Sequence, residues 1–122
     1  MGIFNTGHVE PRLKEFTFTW AAGASLSDEQ DLAGYVPAAL VMTSVWDAAN
    51  ITLTATTSTS HLPVYDEAGG EVVWVTSTSR YVTLNSDPIR GLQKIKLRSG
   101  TVGSAVVQSA ATTVVLLARK VD

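Results

Sequence analysis

The chain has 122 residues, which is enough for one domain built around one hydrophobic core. Its formal net charge of -2 offers no electrostatic footprint for nucleic acid or an anionic membrane, and the absence of cysteine excludes disulfides, thiolate catalysis and Cys-ligated zinc. Charged residues make up 16%, against roughly 25% in an ordinary soluble domain, and Thr and Ser fill the difference. This composition predicts strands with hydroxylated outer faces or surfaces that meet other protein.

Residues 1–12 predict an extended N-terminal arm, because glycine, asparagine and proline interrupt any regular period. Such a segment buries too little apolar surface to offset its loss of backbone entropy. A purely solvated tail would nevertheless not need apolar side chains. We therefore predict that the arm binds a neighbouring protein through Ile3, Phe4 and Val9.

The next two segments differ in pattern. Leu13 to Ala21 alternates, with Phe16, Phe18 and Trp20 on one side, which predicts a strand with one buried face. Residues 22–35 (AGASLSDEQDLAGY) show no such alternation and predict a loop. Ser27 with Gln30 fits a capping box, so a short helical turn is the alternative there.

Residues 36–57 predict two further strands. Pro37 and the β-branched residues favour an extended segment at Ala39 to Met42 over a helix, and residues 44–49 (SVWDAA) predict a turn. From Ile51 the alternation resumes, with Ile51, Leu53 and Ala55 expected to face inward. Thr52, Thr54 and Thr56 are expected to face outward.

The remaining residues continue the strand pattern to the C-terminus. Residues 63–66 and 71–76 flank a glycine-containing turn and predict a hairpin. Further strands are predicted at residues 80–85, 91–98, 105–108 and 112–121, with a turn at 99–101. The side chains predicted to be buried are Trp20, Ile51, Leu53, Ile95, Leu97 and Val115.

Eight or nine short strands at roughly ten-residue spacing, with turn signals between them, favour an all-β fold. We predict a single antiparallel β-sandwich domain over residues 13–122, preceded by the arm. A jelly roll is the expected topology and an open barrel is the alternative.

Catalytic and metal-binding patterns are weak. His8 and His61 are the histidines that could act as a general base, but no serine of the chain lies in a G-x-S-x-G nucleophile motif. No enzyme activity and no catalytic residue are therefore predicted. Two acidic groups could offer carboxylates to calcium: Asp66, Glu67 and Glu71 in one turn, and Asp28, Glu29 and Asp31 in another segment. Neither follows the alternating pattern of a calcium loop, so no metal ion and no cofactor is predicted.

Aromatic residues supply a second candidate surface, for a partner or a ligand. The strand around Trp74 is apolar on both faces, which favours burial in the core or in a subunit contact. The alternative is a platform for stacking sugar rings. This surface comprises Trp74, Tyr65 and Asp66.

Several phrases together resemble a recurrent small virion protein of tailed bacteriophages. They are P-x-x-L before W-x-x-A, a YD-x-x-G hairpin, IK-x-RSGT, and a last V-x-Q before a strand. The resemblance covers about residues 31–119 and rests on Pro37, Leu40, Trp46, Ala49, Tyr65, Asp66, Gly69, Ile95, Lys96, Arg98, Ser99, Gly100, Thr101, Val107 and Gln108.

The resemblance implies a jelly-roll β-sandwich similar to galactose-binding-like domains, whose matching residues are structural rather than catalytic. It also implies a virion component, most plausibly a capsid decoration or cement protein that forms homo-oligomers on the major capsid protein. The alternative is a carbohydrate-binding module of a head fibre or tail. Related domains often carry an S-x-DG turn where this chain has residues 57–63 (TSTSHLP), and that difference weakens the glycan-binding alternative.

Overall fold

The structure is a computed structural model that describes residues 12–85, 89 and 91–120. The described part contains ten β-strands and no α-helix. The strands are β1 (Leu13–Trp20), β2 (Leu26–Asp31), β3 (Tyr35–Val41), β4 (Ile51–Thr56), β5 (His61–Pro63), β6 (Val73–Trp74), β7 (Tyr81–Thr83), β8 (Lys94–Thr101), β9 (Ser104–Ala105) and β10 (Thr112–Lys120). The predicted all-β class is therefore confirmed. Of the predicted arm, residues 1–11 lie outside the described ranges.

The strands form two antiparallel sheets arranged as in a β-sandwich. The first sheet has the order β1-β10-β3-β7, and the second has the order β2-β8-β4-β5. In the second sheet, β6 pairs with β4 beside β5, and β9 pairs with β8. Within the described residues, no helix is long and apolar enough to cross a membrane.

The pairing of the strands is nested. β1 pairs with β10, β2 with β8, β3 with β7, and β4 with β5. The pairs alternate between the two sheets, so strands that follow one another at the start of the chain lie in opposite layers. The chain passes from one sheet to the other between β1 and β2, between β2 and β3, and between β3 and β4. The inner faces of these four strands therefore all pack in the core between the sheets.

The core lies between the sheets and follows from the alternation of each strand. Phe16, Phe18 and Trp20 of β1 are buried, while the residues between them are exposed. Trp20 packs edge-on against Trp46, with ring centroids 4.9 Å apart. Both indole nitrogens donate to backbone carbonyls, Trp20 to Ser25 and Trp46 to Ala49, so the two large rings are buried without an unpaired N–H.

A buried glutamine fixes the end of the sandwich beside these tryptophans. Gln108 is fully buried, and its side-chain amide bonds the backbone of Asp47 twice: Oε1 accepts from the Asp47 N–H at 2.8 Å, and Nε2 donates to its carbonyl at 3.1 Å. The Asp47 carboxylate in turn accepts from the backbone N–H and the hydroxyl of Ser109. The loop after β3 is thereby tied to the segment before β10, 61 residues later in the chain.

The core prediction is confirmed at five positions and wrong at one. Trp20, Ile51, Leu53, Ile95 and Leu97 are buried. Val115 is only half-buried, because β10 turns the alternate residues Thr112, Val114, Leu116 and Ala118 toward the core. The run Val-Val-Leu-Leu is apolar at every position, so the sequence does not show which alternate side chains face the core.

Two local predictions are also wrong. The predicted loop over residues 22–35 contains strand β2, and its bulge places the Ser27 hydroxyl where it accepts the Leu97 N–H at 2.9 Å. The predicted turn at residues 99–101 is the end of β8, and the chain reverses at Val102 and Gly103 instead.

The assignment of Leu53 to the core and of Val115 to the outer face can be tested by comparing two substitutions. Leu53→Ala should lower the free energy of unfolding by about 2–5 kcal/mol, because it opens a cavity in a fully buried site. Val115→Ala removes a side chain from the outer face and should cost less than about 1 kcal/mol. Urea unfolding of both variants measures the difference, and equal losses would contradict the register.

Candidate interaction surfaces

The outer face of the second sheet is charged. Lys94, Lys96 and Arg98 of β8 lie opposite Thr56, Thr54 and Thr52 of β4 on one side. On the other side, β2 places Asp31 opposite Lys94 and Glu29 opposite Lys96. Opposite charges therefore face one another across the ladder, which stabilises the sheet and keeps this face hydrated.

Arg98 covers the centre of that face. Its guanidinium donates to the hydroxyls of Thr54 at 3.1 Å and Thr52 at 3.5 Å, and Nη1 lies 3.8 Å from the Glu71 carboxylate. Glu71 also accepts the Val102 N–H at 3.2 Å. Thr52 and Thr54 were predicted to face outward; they lie on the outer face but are buried, since the arginine lies against them.

The outer face of the first sheet is different, because its middle rows carry no charge apart from one glutamate at the edge. The register places four residues of β1, β10, β3 and β7 side by side in each of two rows. These rows are Thr17, Val115, Val41 and Tyr81, and then Glu15, Leu117, Ala39 and Thr83. We call these eight residues the apolar face.

The two edges of the first sheet are treated differently. At β1, the Asp28 carboxylate accepts the Thr19 N–H at 2.8 Å, and the Gln30 side chain donates to the Thr17 carbonyl at 3.1 Å. Side chains of β2 thus occupy the backbone groups of this edge, and another strand cannot pair there without displacing them.

The opposite edge, at β7, pairs only with β3 among the described residues. Leu84 donates its N–H to Ala38, and Arg80 accepts that of Met42, so the even-numbered residues direct their backbone groups toward β3. The backbone groups of Tyr81 and Thr83 consequently point away from the sheet. This edge has the pattern that an added strand requires.

A groove of about 430 Å³ lies beside that edge, between β6 of the second sheet and β7 of the first. Val75, Val82 and Leu84 line it together with Trp74, and the acidic residues Asp66 and Glu71 lie at its margin. Among the described residues that line it, none is basic. The groove is therefore lined by both apolar and polar side chains, and it carries two carboxylates.

Trp74 gives this groove an unusual feature. Its side chain is 5% exposed, and its indole N–H is a buried donor without a hydrogen-bond acceptor in the described structure. Leaving a buried polar group unpaired costs about 1–3 kcal/mol.

The three residues predicted to form a partner or ligand surface do not share one environment. Trp74 and Asp66 both line the groove, whereas Tyr65 is exposed and pairs through its backbone with Glu71. Because the Trp74 ring is buried, it offers no open face for stacking a sugar, and glycan binding stays a prediction. The predicted arm residues Ile3, Phe4 and Val9 lie outside the described ranges.

The residues of the bacteriophage-like motifs have structural roles in this fold. Asp66 Oδ1 accepts the N–H groups of Ala68 and Gly70, and Gly69 adopts a φ of 92°, so the YD-x-x-G phrase specifies the turn. Gly100 has a φ of 89°, and a Cβ there would collide with the backbone of Ser104 and Val106. Sequence reasoning identified these residues as structural without showing what each one does.

Neither acidic group has the form of a metal site. No cluster of three or more histidine or carboxylate side chains that could hold an ion occurs within residues 12–85, 89 and 91–120. Asp66 binds its own turn, Asp28 binds the edge of β1, and Glu71 lies beside Arg98. These carboxylates stabilise local structure instead of converging on one point.

No family model, curated protein or solved structure matches the chain.

The arginine network can be tested by a double-mutant cycle. Arg98→Met should lower the free energy of unfolding by about 1–3 kcal/mol, because it leaves Glu71 and two threonine hydroxyls partly buried without their donor. Adding Glu71→Gln should recover part of that loss, since the uncompensated charge is removed. Strictly additive losses in chemical denaturation would show that the two side chains do not interact.

Calcium should leave the stability unchanged. The carboxylates of the turn at Asp66 and of β2 are directed to separate backbone donors, so they present no set of six to eight oxygens. Thermal unfolding curves recorded in calcium and in chelator should coincide. An increase of several degrees in calcium would contradict this assignment and point to the turn at Asp66.

Proposed function

We propose that this chain is a structural virion protein of a tailed bacteriophage, a decoration or cement protein that binds the outer surface of the capsid and stabilises the shell. Its partners would be the major capsid protein and further copies of itself, and the arm with Ile3, Phe4 and Val9 would contribute to these contacts. The observation that carries the proposal is the contrast between the charged outer face of the second sheet and the apolar face of the first.

The topology supports this proposal. We infer that the sandwich is a jelly roll, in which a long antiparallel hairpin of eight strands is wound so that its successive pairs alternate between two sheets. The nested pairs β1–β10, β2–β8, β3–β7 and β4–β5 fit that description, with β6 and β9 as short additions. Jelly rolls are frequent among viral capsid and lectin domains, and they are built to present broad sheet faces.

The apolar face has the chemistry of a protein contact. Val41, Val115 and Leu117 lie together at its centre, and threonines surround them. Charged residues are depleted at the centre of protein interfaces because burying them is costly. A face exposed permanently to water would gain solubility from charge at these positions, as the second sheet does with Lys94 and Lys96.

The apolar face is small. Four strands at about 4.8 Å spacing and two rows that span about four residues at 3.3 Å each give a surface of about 19 Å by 13 Å. Two partners meeting over this surface alone would bury about 500 Å², which is less than the roughly 1,000 Å² of a specific interface. On a capsid, many such contacts act together, so a small interface per copy is adequate.

Co-sedimentation with empty capsids, assembled from the major capsid protein of the same genome, tests the proposal. The wild-type chain should sediment with capsids, and Val115→Lys should bind at least about tenfold more weakly because a charge enters the centre of the apolar face. Val102→Lys is the matched control, since Val102 is an exposed valine at the turn of the other sheet. Equal binding by both variants would move the contact elsewhere, and absence of binding by the wild type would contradict the function.

A further inference from the structure

We propose that the groove between β6 and β7 is the docking site for the N-terminal arm, residues 1–11, of a neighbouring copy. The arm would add as a strand to the free edge of β7 and place its apolar side chains in the groove. The proposal rests on the oligomeric part of the proposed function and assigns a site and an occupant to it.

The first argument comes from the two edges of the first sheet. Asp28 and Gln30 occupy the edge at β1, whereas the backbone groups of Tyr81 and Thr83 at β7 are directed outward with no strand of the described residues beside them. Strand addition at an open edge supplies main-chain hydrogen bonds, and pockets beside the edge then select side chains. The groove next to β7 is such a pocket, whereas at β1 the side chains of Asp28 and Gln30 already occupy the backbone groups of Thr19 and Thr17.

The second argument is the unpaired donor. Trp74 lines the groove, and its buried indole N–H has no acceptor in the described structure. An extended segment carries a backbone carbonyl at every residue, so a strand seated in the groove would bring hydrogen-bond acceptors close to Trp74. Exposed apolar residues continue the surface on both sides, with Val75 74% exposed and Tyr81 62% exposed.

The third argument concerns the occupant. The groove has two carboxylates at its margin and no basic lining residue among those described. Residues 1–11 (MGIFNTGHVEP) carry the apolar side chains Ile3, Phe4 and Val9, which match the apolar residues of the groove, and their one acidic residue is Glu10 at the end nearest β1. Eleven extended residues reach about 36–40 Å, which is ample for an arm that leaves one copy and enters the next.

A neighbouring copy is favoured over the same chain by the direction in which β1 begins. The Lys120 N–H donates to the Arg12 carbonyl at 2.8 Å. The ladder of β1 and β10 therefore extends to Arg12, the first described residue of the chain. The groove lies three strand spacings away at the other edge of that sheet. An arm bound to its own domain would have to reverse and cross the sheet, whereas an arm bound to a neighbour needs no reversal.

Disulfide trapping tests the assignment, since the chain has no cysteine of its own. Ile3→Cys is mixed with Val75→Cys in the presence of oxidised glutathione, and non-reducing electrophoresis reports the linked dimer. We expect the dimer to form with Val75→Cys and to be lost with the control Val102→Cys, which places the thiol on an exposed valine of the other sheet. A synthetic peptide of residues 1–11 should suppress the cross-link by competing for the groove.

Three outcomes would overturn the proposal. The first is absence of the linked dimer, and the second is equal linking to both exposed valines. The third concerns the double variant Ile3→Cys, Val75→Cys. If a disulfide forms within one chain of this variant, to an extent that does not fall when the protein is diluted, the arm binds the groove of its own domain. The experiment contains no capsid, so its failure is distinguishable from a failure of capsid binding, which the apolar face tests separately.

Discussion

Burial of apolar side chains between the two sheets is the interaction on which the rest of this structure depends. Backbone ladders hold the strands within each sheet, but among the described strands no ladder joins one sheet to the other. The layers are held together by the core around Trp20, Leu53 and Leu97, and by a few specific contacts such as the Gln108 amide with Asp47. Because the inner faces are committed to one another, every surface available for a partner lies on an outer face or at an edge.

Much of this arrangement was predictable where the sequence alternates cleanly. β1, β4 and the start of β8 were predicted with the correct inward-facing residues, because apolar and polar side chains alternate along these strands. β2 was missed because five of its six residues are Asp, Glu, Gln or Ser, and its strand state is imposed by pairing with β8. The phase of β10 was wrong because a continuous apolar run fits either face.

The candidate surfaces were less accessible to sequence reasoning, for a physical reason. Whether an edge is open depends on which side chains reach it from another strand, as Asp28 and Gln30 do from β2. Similarly, the apolar strand around Trp74 favoured burial without separating the core from a subunit contact, and pairing with Ile51 turns the ring toward the core. Residue types indicated that this region was apolar, and only the register of the strands showed that the ring is buried and the neighbouring valines are exposed.

The nested pairing has a consequence for how the chain folds. β10 lies between β1 and β3 in the first sheet, so until Lys120 has been synthesised β1 has no partner in that sheet and β3 has only β7. Contacts between strands about 100 residues apart make folding slow relative to that of proteins with local contacts. The sheet that carries the apolar face is therefore completed only once β10 has been synthesised, and until that point the nascent chain lacks the strand that lies beside the inner aromatic residues of β1.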